Sequence, residues 1–159
     1  MPTAYAMNID LDMLTPGTQV LSADETVKFE DVDGSENEIV CHADLTVRRA
    51  PEGIYIHAEL KGEFDTPCHK CLEPAKCLVD SSFDVVAKKV PARSQGPAEE
   101  ADDDFIYITA EDRDISLDQH VYEHLLASIP IRILCREDCK GLCPGCGANL
   151  NVEKCRCSE

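Results

Sequence analysis

Eight of the ten cysteines in this chain fall into four close pairs, and that pairing constrains the fold more than any other feature. Cys68/Cys71 and Cys143/Cys146 have CxxC spacing, Cys135/Cys139 have CxxxC spacing, and Cys155/Cys157 have CxC spacing. Two intervening residues let both thiolates of a CxxC pair turn toward one ion. The small residues around Cys146 in "CPGCG" leave backbone N–H groups free to bond the sulfurs. Four pairs suffice for two tetrahedral four-thiolate sites, and zinc is the expected ion.

Cys143/Cys146 and Cys155/Cys157 are separated by only eight residues, a span that can close into a small metal-bound loop. Cys68/Cys71 would then meet Cys135/Cys139 across the fold and pin the tail to a mid-chain hairpin. Spacing also admits a single site drawn from Cys139, Cys143, Cys146 and one of the CxC pair, with Cys68 and Cys71 free. Cys41 and Cys77 are left over, each read as a small buried apolar residue.

Disulfide and redox chemistry are the competing uses of so many thiols. The start of the chain lacks a basic segment followed by an apolar one, and its first Lys is Lys28. No run approaches the roughly 20 apolar residues of a membrane span. The expectation is a cytoplasmic protein without membrane contact, in a reducing compartment that favours metal over structural disulfides. A thioredoxin-like CxxC opens a helix; here Pro74 follows Cys71 closely and would interrupt one, and no βαβ pattern precedes it.

The rest of the chain reads as a β-rich α+β domain, an antiparallel sheet or partial barrel with one main helix, over residues 1–130. A zinc-binding tail follows over 131–159, packed on a hairpin at 64–76. Strands are expected in "TVKFEDV", "ADLTVRR" and "FIYI". The clearest is "GIYIHAELKGEF", where Ile54, Ile56, Ala58 and Leu60 alternate with Tyr55, His57, Glu59 and Lys61. "CLVDSSFDVVAKKV" is another, so Cys68 and Cys71 sit at a hairpin tip. Residues 91–104 carry Pro, Gly and a run of acids and read as an acidic loop. Leu117, Val121, Tyr122, Leu125, Leu126 and Ile129 share one face of a helix spanning 117–129. Ser116 and Gln119 suit a capping box, and Pro130 ends the helix.

That helix contains "HVYEH", an H-x-x-E-H match in which His120 and His124 could hold an ion and Glu123 act as base. A metal-dependent hydrolase is therefore one alternative reading, and a thiol–disulfide protein another. All three residues lie away from the apolar face, and a solvated helix surface accounts for them. His69, inside the Cys68/Cys71 pair, is poorly placed as a ligand. No phosphate-binding loop and no nucleophile elbow occurs, so nothing compels an enzyme or a small-molecule substrate.

"GEFDTPCHKCLEP", a loop of acids, a helix ending in "IP", and "CREDCKGLCPGCGANLN" with a final "CRC" together resemble the YceD family of large ribosomal RNA subunit accumulation proteins. The likeness runs from the hairpin to the C-terminus; the first forty residues match loosely. It implies a small, non-enzymatic bacterial or plastid protein supporting accumulation of large-subunit (23S) ribosomal RNA and ribosome assembly. It also implies Cys68, Cys71 and the tail cysteines as metal ligands. The partner would be that RNA or its precursor, a basic ribosomal protein, or both.

A net charge of −16 bears on that choice. Residues 1–47 carry ten acids and one base, whereas residues 61–93 carry six bases and five acids and residues 131–159 five bases and four acids. RNA binding rests on cations that displace counterions from phosphate. Lys70, Lys76, Arg132, Arg136, Lys140, Lys154 and Arg156 are the candidates, though they also balance the thiolates. An acidic chain equally suits holding a basic ribosomal protein, and a protein-binding or mixed role is expected slightly ahead of pure RNA binding.

Overall fold

The computed structural model describes residues 7–31, 34–91 and 104–157. Four long strands, β2 (Gly17–Glu30), β3 (Glu36–Ala50), β4 (Gly53–Pro67) and β5 (Pro74–Lys89), form an antiparallel meander. A short strand, β6 (Phe105–Ile108), extends it in the order β2-β3-β4-β5-β6. β6 runs parallel to β5, so the sheet is mixed. Two three-residue strands, β1 (Asn8–Asp10) and β7 (Asp114–Ser116), pair separately, and one helix, α1 (Asp118–Ser128), follows. The molecule is thus α+β and β-rich. Residues 92–103, nearly all of the expected acidic loop, lie outside the described residues.

Period-two patterning explains the strands. Ile39, Cys41, Ala43, Leu45 and Val47 of β3 are buried, as are Ile54, Ile56, Ala58, Leu60 and Phe64 of β4, while intervening residues face out. The strands are longer than their apolar runs suggest, because each hairpin extends pairing to its turn: Ala50 opposes Gly53, and Pro67 opposes Pro74. A side chain at Gly62 would meet Ile39 Cγ2 at 2.7 Å and Val79 Cγ2 at 3.0 Å. Glycine there lets neighbouring strands close their apolar side chains over the middle of the sheet.

The apolar face is covered in sections. α1 packs its buried Val121 and Leu125 on β5, and Ile9 and Ile115 of the small sheet join the same core. Toward the hairpin tip that core continues through Phe29 and Phe64, whose rings meet edge to face at 5.2 Å, and includes Cys68, Cys71, Ile133 and Cys139. Cys41 and Cys77 are buried in it as well. Burial pushes the Cys41 thiol up to about 11 and raises Cys77, so both remain protonated.

Two local expectations are corrected. The helix cap is Leu117 and makes no side-chain cap bond. Ser116 Oγ accepts from Asp118 N–H at 3.5 Å, but Gln119, expected to reach back to the cap, donates instead to Glu123 Oε1 at 2.9 Å, an i,i+4 pair on the helix surface. His120 and His124 are not simply solvated: their rings stack on Phe83 at centroid distances of 5.7 and 4.9 Å. Both histidines serve packing at the margin of the apolar face.

Candidate metal centres

The β4–β5 hairpin is closed by six residues, 68–73, which fold as a knuckle. Leu72 N–H donates to Cys68 O at 3.0 Å, and Cys68 N–H donates to Glu73 O at 2.8 Å. This turn requires a left-handed residue after the second cysteine, and Leu72 takes it with φ 62°. Leaving the helix, the chain passes Ile133, whose N–H donates to His69 Nδ1 at 3.2 Å while its carbonyl accepts from His69 N–H at 2.9 Å. His69 is thus a stitch between tail and hairpin. The stitch brings Cys135 and Cys139 over the knuckle: Cys71 and Cys135 sulfurs lie 3.5 Å apart, and Cys68 and Cys139 sulfurs 3.7 Å apart.

The tail then forms a second knuckle with the same backbone bonds. Gly147 N–H donates to Cys143 O at 2.9 Å, and Cys143 N–H donates to Ala148 O at 2.8 Å. Gly147, at φ 72°, stands where Leu72 stands in the first. Cys155 and Cys157 fold back on it. The Cys143 sulfur is 3.3 Å from Cys155 and 3.7 Å from Cys157, and the Cys146 sulfur is 4.0 Å from Cys155.

Among the described residues two groups could hold a metal ion: Cys68, Cys71, Cys135 and Cys139, and Cys143, Cys146, Cys155 and Cys157. In each, all four sulfurs lie within 4.8 Å of one another. A tetrahedral shell with metal–sulfur bonds of about 2.3 Å has edges of about 3.8 Å, close to the separations seen. They are far longer than the ~2.05 Å of a disulfide, and all ten cysteines are free.

Electrostatics within each group fit the same chemistry. Burial opposes ionisation of Cys68, yet the backbone N–H groups of Lys70, Cys135 and Cys71 outweigh it and bring the thiol down to about 6. The N–H groups of Cys146 and Gly145 bring Cys143 down to about 6 in the matching position. Cys135 is pushed up to about 12 by burial and by the neighbouring sulfurs, and Cys157 to about 12 by the sulfurs of Cys146, Cys143 and Cys155. Two thiols in each group are lowered, Cys68 with Cys139 and Cys143 with Cys146, and the other two are raised, so the later thiolates form against the charge of the earlier ones. A divalent cation at the centre would remove that repulsion, so the donor sets fit a thiophilic ion.

The two groups are joined by residues that spacing rules do not flag. Asn151 Nδ2 donates to the Cys139 sulfur at 3.4 Å and is the largest influence lowering that thiol, while its Oδ1 accepts from Lys140 N–H at 2.9 Å. Leu142 N–H donates to Lys70 O at 2.9 Å, and Leu142 bridges Asn149 across the tail loop. Gly141, at φ 77°, passes so near the hairpin that a side chain there would meet Lys70 O at 3.1 Å. A side chain at Gly145 would meet the Cys157 sulfur at 2.6 Å. Only the block "CKGLCPGCGANLN" hinted at these roles, through its small residues and paired Asn.

Of the candidate cations, Lys70 Nζ donates to Cys139 O at 3.1 Å, Lys76 pairs with Glu63 at 2.7 Å, and Arg136 and Arg156 pair with Asp138 and Glu153. Arg132, Lys140 and Lys154 are exposed without an ion pair among the described residues. His120, Glu123 and His124 do not form a metal-holding group there.

Comparison with known proteins adds a family. Residues 56–159 match the family model described as Large ribosomal RNA subunit accumulation protein YceD. The chain is 22% identical over 174 residues to the chloroplastic Large ribosomal RNA subunit accumulation protein YCED homolog 1 of Zea mays, covering 92% of this chain and 59% of that protein. It is 27% identical over 110 residues to an uncharacterized protein of Mycobacterium tuberculosis, covering 69% of this chain and 51% of that protein. A 57-residue stretch is 35% identical to the chloroplastic YCED homolog 1 of Arabidopsis thaliana, covering 36% of this chain and 18% of that protein. The chain therefore spans little more than half the length of the maize and mycobacterial relatives. No solved structure matches it.

Proposed function

The chain belongs to the YceD family, and from that premise we propose that it is a non-enzymatic, zinc-binding factor that supports large-subunit ribosomal RNA accumulation and ribosome assembly. The observation that carries this reading is the pair of four-sulfur groups. Four thiolates fill a tetrahedral shell and leave no position for a reacting water, the pattern of structural rather than catalytic zinc. Cys68, Cys71, Cys135 and Cys139 would hold one ion, and Cys143, Cys146, Cys155 and Cys157 the other. When bound, zinc supplies cross-linking and charge neutralisation. The chain's own residues supply the rest, with Asn151, His69 and Lys70 aligning tail and hairpin. In this reading the tail over 131–159 is a unit clasped to the 64–76 hairpin of a domain formed by 1–130.

The partner reading favours protein. Four of the seven cations around the sulfur groups are engaged by carboxylates or by a backbone carbonyl, so they balance local charge more than they present a surface to phosphate. A cytoplasmic factor of this charge would shield a basic ribosomal protein until RNA replaces it. No helix among the described residues is long and apolar enough to cross a membrane. Crosslinking in cells tests the proposal: recovered material enriched in large-subunit proteins or precursor RNA supports it. Recovery of neither, with large-subunit RNA unchanged in cells lacking the protein, contradicts it. A hydrolase reading would need metal bound at His120 and His124. Retention of all metal after His120→Ala with His124→Ala removes that reading.

A further inference from the structure

Strand β2 lies at the open edge of the sheet. It pairs with β3 through fourteen consecutive residues, Gly17 opposite Arg49 to Glu30 opposite Glu36, with no interruption in register. Among the described residues no strand pairs with its other edge. Every second residue of β2 therefore points its N–H and C=O away from the sheet, along roughly 45 Å. Natural edges of that length are ordinarily protected by proline, lysine, a bulge or a covering element. β2 has no proline and no bulge, its one lysine, Lys28, pairs with Glu38, and Glu25 is the single charge it sets on the apolar face.

Its side chains are as open as its backbone. Val20 is 69% exposed, and Leu21, on the opposite face, is 37% exposed. Leu45, which opposes Leu21 on β3, is buried, as is Ala43 beside Ala23. The apolar face thus stops one strand short of complete cover. Charge selects what could complete it: the outward face of β2 carries Asp24 and Glu30 against Lys28, and Asp44, Glu38 and Glu36 lie beside it on β3, where His42 bridges Asp24 and Asp44. A second copy would set these acids against their own kind in a chain of net charge −16.

We propose that the free edge of β2 is a docking site for an extended, Lys/Arg-rich polypeptide segment, which adds to the sheet as a sixth strand. Main-chain bonds supply the affinity, alternate apolar side chains cover Leu21 and Ala23 on one face, and the basic ones meet Asp24 and Glu30 on the other. The inference rests on the assembly reading for its biological setting, since it defines the chemistry by which a basic ribosomal protein would be held. The docking itself depends only on β2.

The test uses the full-length zinc-loaded chain and a labelled twelve-residue peptide alternating lysine with valine and threonine, with a glutamate-for-lysine peptide as control. The expected result is saturable binding of the lysine peptide that weakens steeply with salt. Hydrogen exchange should slow at alternate amides of β2. Asp24→Lys with Glu30→Lys should weaken binding at least tenfold while metal content and thermal midpoint stay unchanged. Protection confined to another surface, equal binding of the glutamate peptide, concentration-dependent pairing of β2 with a second copy, or binding of an RNA oligonucleotide in place of the peptide would each overturn it. Because a generic peptide is used, failure here leaves the assembly role standing, and loss of that role leaves this result standing.

Discussion

At Cys68–Glu73 and at Cys143–Ala148 the backbone makes the same two hydrogen bonds, and in each the first cysteine is brought down to about 6 by backbone amides, those of the turn and, at Cys68, that of Cys135 as well. Their surroundings differ. The first knuckle caps a long hairpin, and Cys68, Cys71 and Cys139 are buried in the main core. The second is built by a tail loop in which Cys146 and Cys157 are exposed. The first group joins residues 64 to 71 positions apart; the second spans 14 at most. One turn design therefore serves two tasks, a clasp between distant segments and a locally closed finger.

The largest test of this difference is removal of one ligand from each. Cys68→Ser should free the tail from the hairpin and lower the thermal midpoint by about 10 °C or more, while Cys143→Ser should lower it by only a few degrees. Circular dichroism melts with metal content measured in parallel check this. Equal losses would break the distinction between clasp and finger.

A second pair of variants separates seam from site. Gly145→Ala drives a methyl group toward the Cys157 sulfur, so metal affinity of the finger should fall at least tenfold with the clasp's metal retained. Gly141→Ala crowds Lys70 at a left-handed position, so both ions should stay while the midpoint drops. Competition with a chromogenic chelator and the melts read the two effects.

Smaller effects come from the left-handed residues. Gly147 has open space around it, so Gly147→Ala should cost about 1 kcal/mol through the backbone alone. Leu72 is 67% exposed at the matching position, so Leu72→Gly should stabilise by up to about 1 kcal/mol. Denaturant titration of the zinc-loaded protein measures both, and equal signs would contradict the equivalence of the knuckles. Finally, chelation should release the tail from the hairpin, so thiol reagents should modify the eight paired cysteines rapidly and Cys41 and Cys77 slowly, since those two are buried within strands of the sheet. Ten fast thiols would show that the sheet core opens with the metal.

Much of this was legible because its chemistry lies in spacing. The alternation of β4 and the helical face from Leu117 to Leu125 are period signals, and the CxxC pairs are turns that any chain can close locally. What spacing does not contain is which pair meets which. That depends on the stitch between His69 and Ile133, a contact 64 residues apart that no local pattern encodes. The parallel direction of β6 and the left-handed Leu72 are likewise set by tertiary context. Of the capping box only the Ser116 hydroxyl takes part, since Gln119 is engaged by Glu123 one turn on.

The central claim is two four-thiolate zinc sites, one clasping and one local. Native mass spectrometry of untagged protein, with thiol alkylation before and after chelation, tests it most directly. The account predicts two zinc ions per chain, eight thiols protected until chelation, and one ion remaining in Cys68→Ser. A single zinc in the wild-type chain, or Cys68 and Cys71 reactive while metal is bound, would contradict it.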